Sequence, residues 1–265
     1  MRTYWELAKA GFRRYARYRT AVAASAFTNT VFGLIRASLL LAAIDIAGGP
    51  VGGYNAVQAA TYVWLSQALL GPLDIWGSTI TVGDRVKSGD IAVDFLRPVS
   101  VLGASLATNA GRMAFELLPR GIPPLVVGAL VTGLHVPDTI GPYLWGAFSV
   151  AVASVLCHCY YFAVHLTALW TIENRGFLVL AMTLQQSLSG FVVPVSWFPD
   201  WLQQIAWLSP FPSMFQVPVD LLTERLSGAD AMLALALQAG WTVAFVGLCL
   251  ALLARGRRKV VIQGG

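Results

Sequence analysis

Residues 231–254 read AMLALALQAGWTVAFVGLCLALLA, an uncharged run of 24 residues, followed by the bases Arg255, Arg257, Arg258 and Lys259. As a helix this run reaches about 36 Å, enough to cross a hydrocarbon core of about 30 Å. Lys and Arg flanking an apolar run mark the side that stays cytoplasmic. Long apolar runs with the same kind of flank recur upstream. The stretch therefore decides the fold class: an all-α, polytopic membrane protein.

Composition agrees. Of 265 residues, 57% are hydrophobic and 12% are charged, about half the charge of a soluble domain. The net charge of +5 carries no nucleic-acid signal, because the bases cluster at the chain ends. Arg2, Lys9, Arg13, Arg14, Arg17 and Arg19 account for six of the eighteen. In residues 1–20 they alternate with Tyr4, Trp5, Leu7, Phe12 and Tyr15, the pattern of an amphipathic helix lying in the interface. No apolar region precedes Ala23–Ala26, so no cleavable leader is expected. Cys157, Cys159 and Cys249 fall inside apolar stretches, so a disulfide framework is not expected.

Six crossings are expected. The first is Ala21 to Ala47. The second is Ala56 to about Val82, with a kink at Gly71-Pro72. Leu125 to Val136 is too short to cross alone, so the third span must borrow residues from before Gly121-Ile122-Pro123-Pro124. The fourth is Tyr143 to about Trp170, the fifth Phe177 to about Val193 and the sixth Ala231 to Ala254. Pro194–Leu222 is too broken by Pro and Trp to span. With both ends inside, Arg85, Lys87, Arg97 and Arg175 also fall inside. The outside loops then hold Asp138, Asp200, Asp220, Glu224 and Asp230 against one base, Arg225. The span count and the charge asymmetry give the same topology.

Motifs for chemistry are missing. Lys9, Lys87 and Lys259 are the only lysines and none follows a glycine, so no Gly-x-x-x-x-Gly-Lys phosphate loop exists. Any ATP must be hydrolysed on another subunit. No His-Glu-x-x-His or Gly-x-Ser-x-Gly occurs, so no catalytic residue is assigned. Cys157-His158-Cys159 are consecutive, and helical neighbours point about 100° apart; they cannot converge on one ion, and no metal site is expected. His158, Tyr161 and His165 share a helical face that either packs helices or lines a cavity. Arg36 lies near mid-span, with Gln67 at similar depth and Asp74 nearer the inside. A contact from Arg36 to Gln67 or Asp74 would fix helix register or face substrate. Gln185 and Gln186 could likewise face a cavity or join helices.

Two ordered motifs carry a resemblance. The first is the loop Lys87-Ser88-Gly89-Asp90-Ile91-Ala92-Val93-Asp94-Phe95-Leu96-Arg97-Pro98. The second is Ser189-Gly190-Phe191-Val192-Val193-Pro194-Val195-Ser196-Trp197-Phe198-Pro199, followed by Ser209-Pro210-Phe211-Pro212. Their order and spacing resemble the permease subunits of type-2 ABC exporters, in the ABC-2 branch whose loop reads Gly-acidic-Ile…Leu-Arg-Pro. The resemblance covers essentially the whole chain as one permease domain.

It implies a bacterial plasma-membrane exporter subunit with both termini cytoplasmic. It further implies a second permease chain and separate ATPase subunits that carry the ATP and magnesium, with no cofactor on this chain. Within 83–100, Asp90 would cap a short coupling helix, and Ile91, Phe95, Leu96 and Arg97 would contact the ATPase. Residues 194–222 would form a re-entrant outer hairpin, with Pro194, Trp197, Phe198 and Trp201 at an outer gate. The alternative reading is a secondary transporter driven by an ion gradient. It would call for buried acidic relays and repeated halves; only Asp74 and Glu116 are candidate carriers, and no repeat is visible.

Overall fold

Helix boundaries follow local signals. Asn55 and Gln58 form a capping box: Asn55 Oδ1 accepts from the Gln58 N–H (2.9 Å) and Gln58 Oε1 from the Asn55 N–H (3.2 Å). The Ser100 hydroxyl accepts from the Gly103 N–H at 3.2 Å and starts another helix. The computed structural model describes residues 2–171 and 173–263. It is 77% helical, with no strand among the described residues.

In chain order the helices are α1 (Arg2–Ala16), α2 (Arg19–Ile46), α3 (Ala56–Leu69), α4 (Val82–Lys87), α5 (Ile91–Leu96), α6 (Val101–Glu116) and α7 (Ile122–Val131). They continue as α8 (Gly141–Leu166), α9 (Arg175–Leu188), α10 (Asp200–Trp207), α11 (Phe211–Met214), α12 (Gln216–Leu222) and α13 (Gly228–Gln263). Among the described residues, four stretches are long and apolar enough to cross a membrane: Thr20–Ile46, Val101–Val131, Gly141–Leu169 and Gly228–Lys259.

The third of the expected spans does borrow across its prolines. α6 and α7 join through a π-helical turn, Leu117–Gly121. Pro119 sits in that turn and has no N–H for the α-ladder, so the wider turn absorbs it.

The second and fifth expected spans differ from a continuous helix. α3 and α9 have 14 residues each, about 21 Å of helix, which is short of the hydrocarbon core. The kink expected at Gly71-Pro72 is instead a helix end. The chain there runs on through turns, with Asp74 and Gly77 both at positive φ (48° and 59°). Past α9 the chain bends at Gly190, also at positive φ.

Packing centres on α8, where Leu156, Cys157, Tyr161, Phe162 and Leu166 are fully buried. α12 and α13 both lie along it. The basic helix α1 is clamped to α6 over nearly its whole length. The two backbones approach so closely that a Cβ on Gly111 would overlap the Ala8 carbonyl, and one on Gly11 the Thr108 carbonyl. Phe12 meets Phe115 edge-to-face at 5.4 Å. The interfacial expectation for residues 1–20 thus acquires a second side: the glycine face of α1 grips α6, while Trp5 and Tyr18 stay exposed.

Candidate functional site

Each broken helix ends at an arginine from a neighbouring long helix. Arg112 on α6 is 2% exposed. Its Nη1 donates to the Gly71 carbonyl (2.6 Å) and to Glu116 Oε2 (2.6 Å), and its Nη2 to the Pro72 carbonyl (3.1 Å) and Asn109 Oδ1 (2.7 Å). Nε completes the set on Asn109 Oδ1. Arg112 thus adds a second donor to the Gly71 carbonyl, which also accepts the Asp74 N–H at 3.0 Å, and donates to the Pro72 carbonyl just past the end of α3; the guanidinium has a carboxylate partner. Glu116 also meets Arg120 at 3.3 Å. Backbone of this kind is tolerated at membrane depth only where neighbouring groups satisfy it.

Arg36 on α2 does the same for the bend after α9. It donates to the carbonyls of Phe191 and Val192 and to Ser66 Oγ (2.9 Å). With the Gln67 amide turned to donate to the Asn29 carbonyl, Gln67 Oε1 accepts from Arg36 Nη1 at 2.8 Å. The expected Arg36–Gln67 pairing is therefore present and the Arg36–Asp74 pairing is not. Asp74 instead braces its own turn, accepting from the N–H and hydroxyl of both Ser78 and Thr79.

The shared face of α8 separates its members. His158 Nε2 meets Ser105 Oγ at 2.8 Å. The Tyr161 hydroxyl lies within reach of two acceptors, the Ile75 carbonyl (2.6 Å) and Gln185 Oε1, and shares its one proton between them. His165 lies against Gly83 of α4. Gln185 also reaches Cys157 Sγ at 3.6 Å, while Gln186 is half-buried beside it. His158, Tyr161, His165 and Gln185 thus join α8 to its neighbours, and among the described residues no group of three or more metal-ligating side chains converges. All three cysteines are buried and unpaired.

At the acidic end, residues 211–221 are buried throughout. Gln216 is their hub. Its Oε1 accepts from Tyr62 Oη (2.9 Å) and the Val195 N–H (3.1 Å), and its Nε2 donates to Tyr54 Oη (3.0 Å) and Asp220 Oδ2 (2.8 Å). Tyr54 donates to Asp220 Oδ1 at 2.9 Å, and Arg225 stacks over the Tyr54 ring at 3.6 Å. Burial pushes the Asp220 carboxyl up to about 6, although the Gln216 and Tyr54 donors pull it down. The sequence reading placed Asp220 only among outer-loop acids and missed this hub. Of the expected gate residues, Pro194 is buried, Trp197 and Phe198 are half-buried, and Trp201 is exposed.

At the basic end, α4 and α5 form a compact corner. Arg85 grips Asp94 through Nε and Nη2, and Arg97 reaches the same carboxylate at 3.3 Å. The Asp94 hydrogen bond strengthens Arg85's hold on its proton. Two expectations are corrected here. Asp90 precedes α5 but makes no cap with its side chain; it accepts from Ser88 Oγ at 2.9 Å. Ile91 is 1% exposed and belongs to the core, and Phe95 packs half-buried beside it. The free apolar surface is Leu96, 83% exposed, with Val93. Helical spacing carries that signal: 91 and 95 share the inner face, so 93 and 96 point elsewhere.

A family model described as ABC-2 family transporter protein matches residues 28–264. No curated protein and no solved structure matches the chain.

Proposed function

The chain belongs to the ABC-2 transporter family, and from that premise we propose that it is the permease subunit of an ATP-driven exporter, working as half of a permease pair with separate ATPase subunits. The observation that carries the coupling is α5. It projects Leu96 and Val93 outward while Ile91 and the Arg85–Asp94 clasp lock it to the bundle. A short helix with an exposed apolar tip and a rigid root transmits a push instead of absorbing it.

In this reading the chain crosses the membrane six times, with α3 and α9 as broken crossings capped by Arg112 and Arg36. Both ends and the α4–α5 corner lie in the cytoplasm of a bacterial cell, and α10 to α12 form the re-entrant outer segment. Closure of the ATPases would displace α5, and α1 clamped to α6 would move with it. An ion-gradient mechanism is disfavoured because Asp74 and Glu116, its candidate carriers, are both held in hydrogen-bond or ion-pair networks.

The test is co-purification and hydrolysis. The chain alone should hydrolyse no ATP, for want of a phosphate loop. Co-expressed with an ABC ATPase subunit from the same genome, it should retain that subunit through detergent extraction. Reproducible hydrolysis by the partner-free chain would refute the permease reading.

A further inference from the structure

A cavity of 460 Å³ opens between α1, the α4–α5 corner, α6 and α8. No role follows for it from the coupling argument above. Arg85 and Arg97 line it near the start of α6, and Arg14 and Arg112 line it toward the far end of α6, where α1 runs alongside. Along α6, Ser105, Asn109 and Arg112 lie about 6, 12 and 16 Å beyond Val101, so the lining runs well into the bundle. Asp94 is the one carboxylate on its wall, and Arg85 and Arg97 already share it. The wall is therefore net cationic, whatever the protonation of His158.

Two groups lack partners. Arg14 makes no hydrogen bond or ion pair among the described residues. His158 is 5% exposed, and its Nδ1 is buried with nothing to bond. Its other nitrogen is occupied by Ser105, so when Ser105 donates to it, Nδ1 carries an idle N–H. A buried donor without an acceptor is costly; Nδ1 is closed off from the cavity, so a ligand oxygen meets it only when the His158 ring turns. Arginine favours phosphate through paired N–H donors. Leu7, Val82 and Phe162 give the same cavity an apolar wall.

We propose that this cavity binds a phosphate-bearing anion, supplied either by an anionic phospholipid headgroup or by a soluble phosphate, held by the arginines of its wall, with Arg14 toward one end of α6 and Arg85 and Arg97 toward the other. The site lies within a single permease chain, so binding needs neither the ATPase nor a second permease and can fail or hold independently of the coupling mechanism.

The experiment uses the full chain in a neutral maltoside detergent at 0.1 M salt. The melting temperature is followed while dioctanoyl phosphatidylglycerol, dioctanoyl phosphatidylcholine or inorganic phosphate is titrated. A saturable rise with phosphatidylglycerol and none with phosphatidylcholine supports the lipid source; an equal rise with inorganic phosphate supports the soluble one. In either case Arg14→Gln, on an exposed face, should weaken binding roughly tenfold, the loss of about one charged hydrogen bond. Ala104→Leu, which narrows the cavity without changing charge, should weaken it too. The proposal is overturned if neither anion gives a saturable rise, if phosphatidylcholine matches phosphatidylglycerol, or if both variants titrate like the parent chain.

Discussion

The Arg36 guanidinium lies 5.0 Å from the centroid of the Phe191 ring and donates to the carbonyl of the same residue, tying α2 to a bend 155 positions along the chain. One side chain thereby closes a backbone break and covers an aromatic face. This geometry suits a structural strut better than a substrate contact, because the donors are already committed to protein acceptors.

Arg36→Met should therefore lower the stability of the isolated chain by about 1–3 kcal/mol, the cost of leaving the part-buried Phe191 carbonyl and the buried Ser66 side chain without this donor. Arg36→Lys should recover only part, since an ammonium cannot span the same acceptors. Thermal unfolding of the purified chain, without substrate or partner, reads this directly. An unchanged melting temperature with lost transport would instead assign Arg36 to the pathway.

Arg112 offers the sharper energetic case. Arg112→Met leaves Glu116 partly stranded in the interior, with Arg120 as its remaining partner, and takes a donor from the Gly71 and Pro72 carbonyls; breaking a buried pair from one side costs about 3–5 kcal/mol, and Arg120 should hold the loss toward the lower figure. Adding Glu116→Gln removes the stranded charge and should restore a good part of that loss. The double-mutant cycle then gives a coupling well above the ~0.5 kcal/mol expected of independent sites. Additive losses would show that the two residues do not act as a pair.

How far these features were legible beforehand varies with the range of the interaction. α2 and α13 are readable because an uncharged run of sufficient length is itself the cause of a span. The break after α3 was half legible: Gly71-Pro72 announced a disturbance. Its severity, though, depends on Asp74 folding back onto Ser78 and Thr79, which looks from composition like one acid in an apolar run. Arg112 is, in the sequence, one base in a mostly apolar stretch. Its partner carbonyls lie 41 and 40 positions away, and nothing local announces such a pairing. Ile91 and Leu96 were grouped as one surface because loop residues carry no inside or outside until the helix they form is docked.

Asp220 yields a pH prediction. Its carboxyl rests at about 6 in the folded chain against an ordinary 3.8. A raised carboxylate contributes its stabilisation fully below the ordinary value and loses it as pH rises through the folded value. Between about pH 4 and 6 the parent chain should lose on the order of 2–3 kcal/mol relative to Asp220→Asn, from a shift of about two units. The difference in melting temperature between the two proteins, measured across that window, isolates this group from the other titrating carboxylates. A difference that stays constant with pH would mean that Asp220 ionises like a solvated acid.

Coupling can be resolved one side chain at a time on α5. Leu96→Ala should leave the melting temperature of the isolated chain nearly unchanged, because Leu96 touches little of its own fold. It should nonetheless weaken retention of the ATPase roughly tenfold or more, since burying such a side chain at an interface is worth about 1.5–3 kcal/mol. Val93→Ala should act in the same sense and less strongly. Ile91→Ala should show the opposite pattern: a cavity in the permease core and a lowered melting temperature, with any loss of ATPase binding following from that instability. Phe95→Ala, half-buried, should lower both. The measurements are unfolding of each variant alone and the amount of ATPase recovered with it at matched expression. If Leu96→Ala and Val93→Ala together retain the ATPase and its substrate-stimulated hydrolysis, α5 is not the contact, and the exposed basic face of α1 becomes the surface to test.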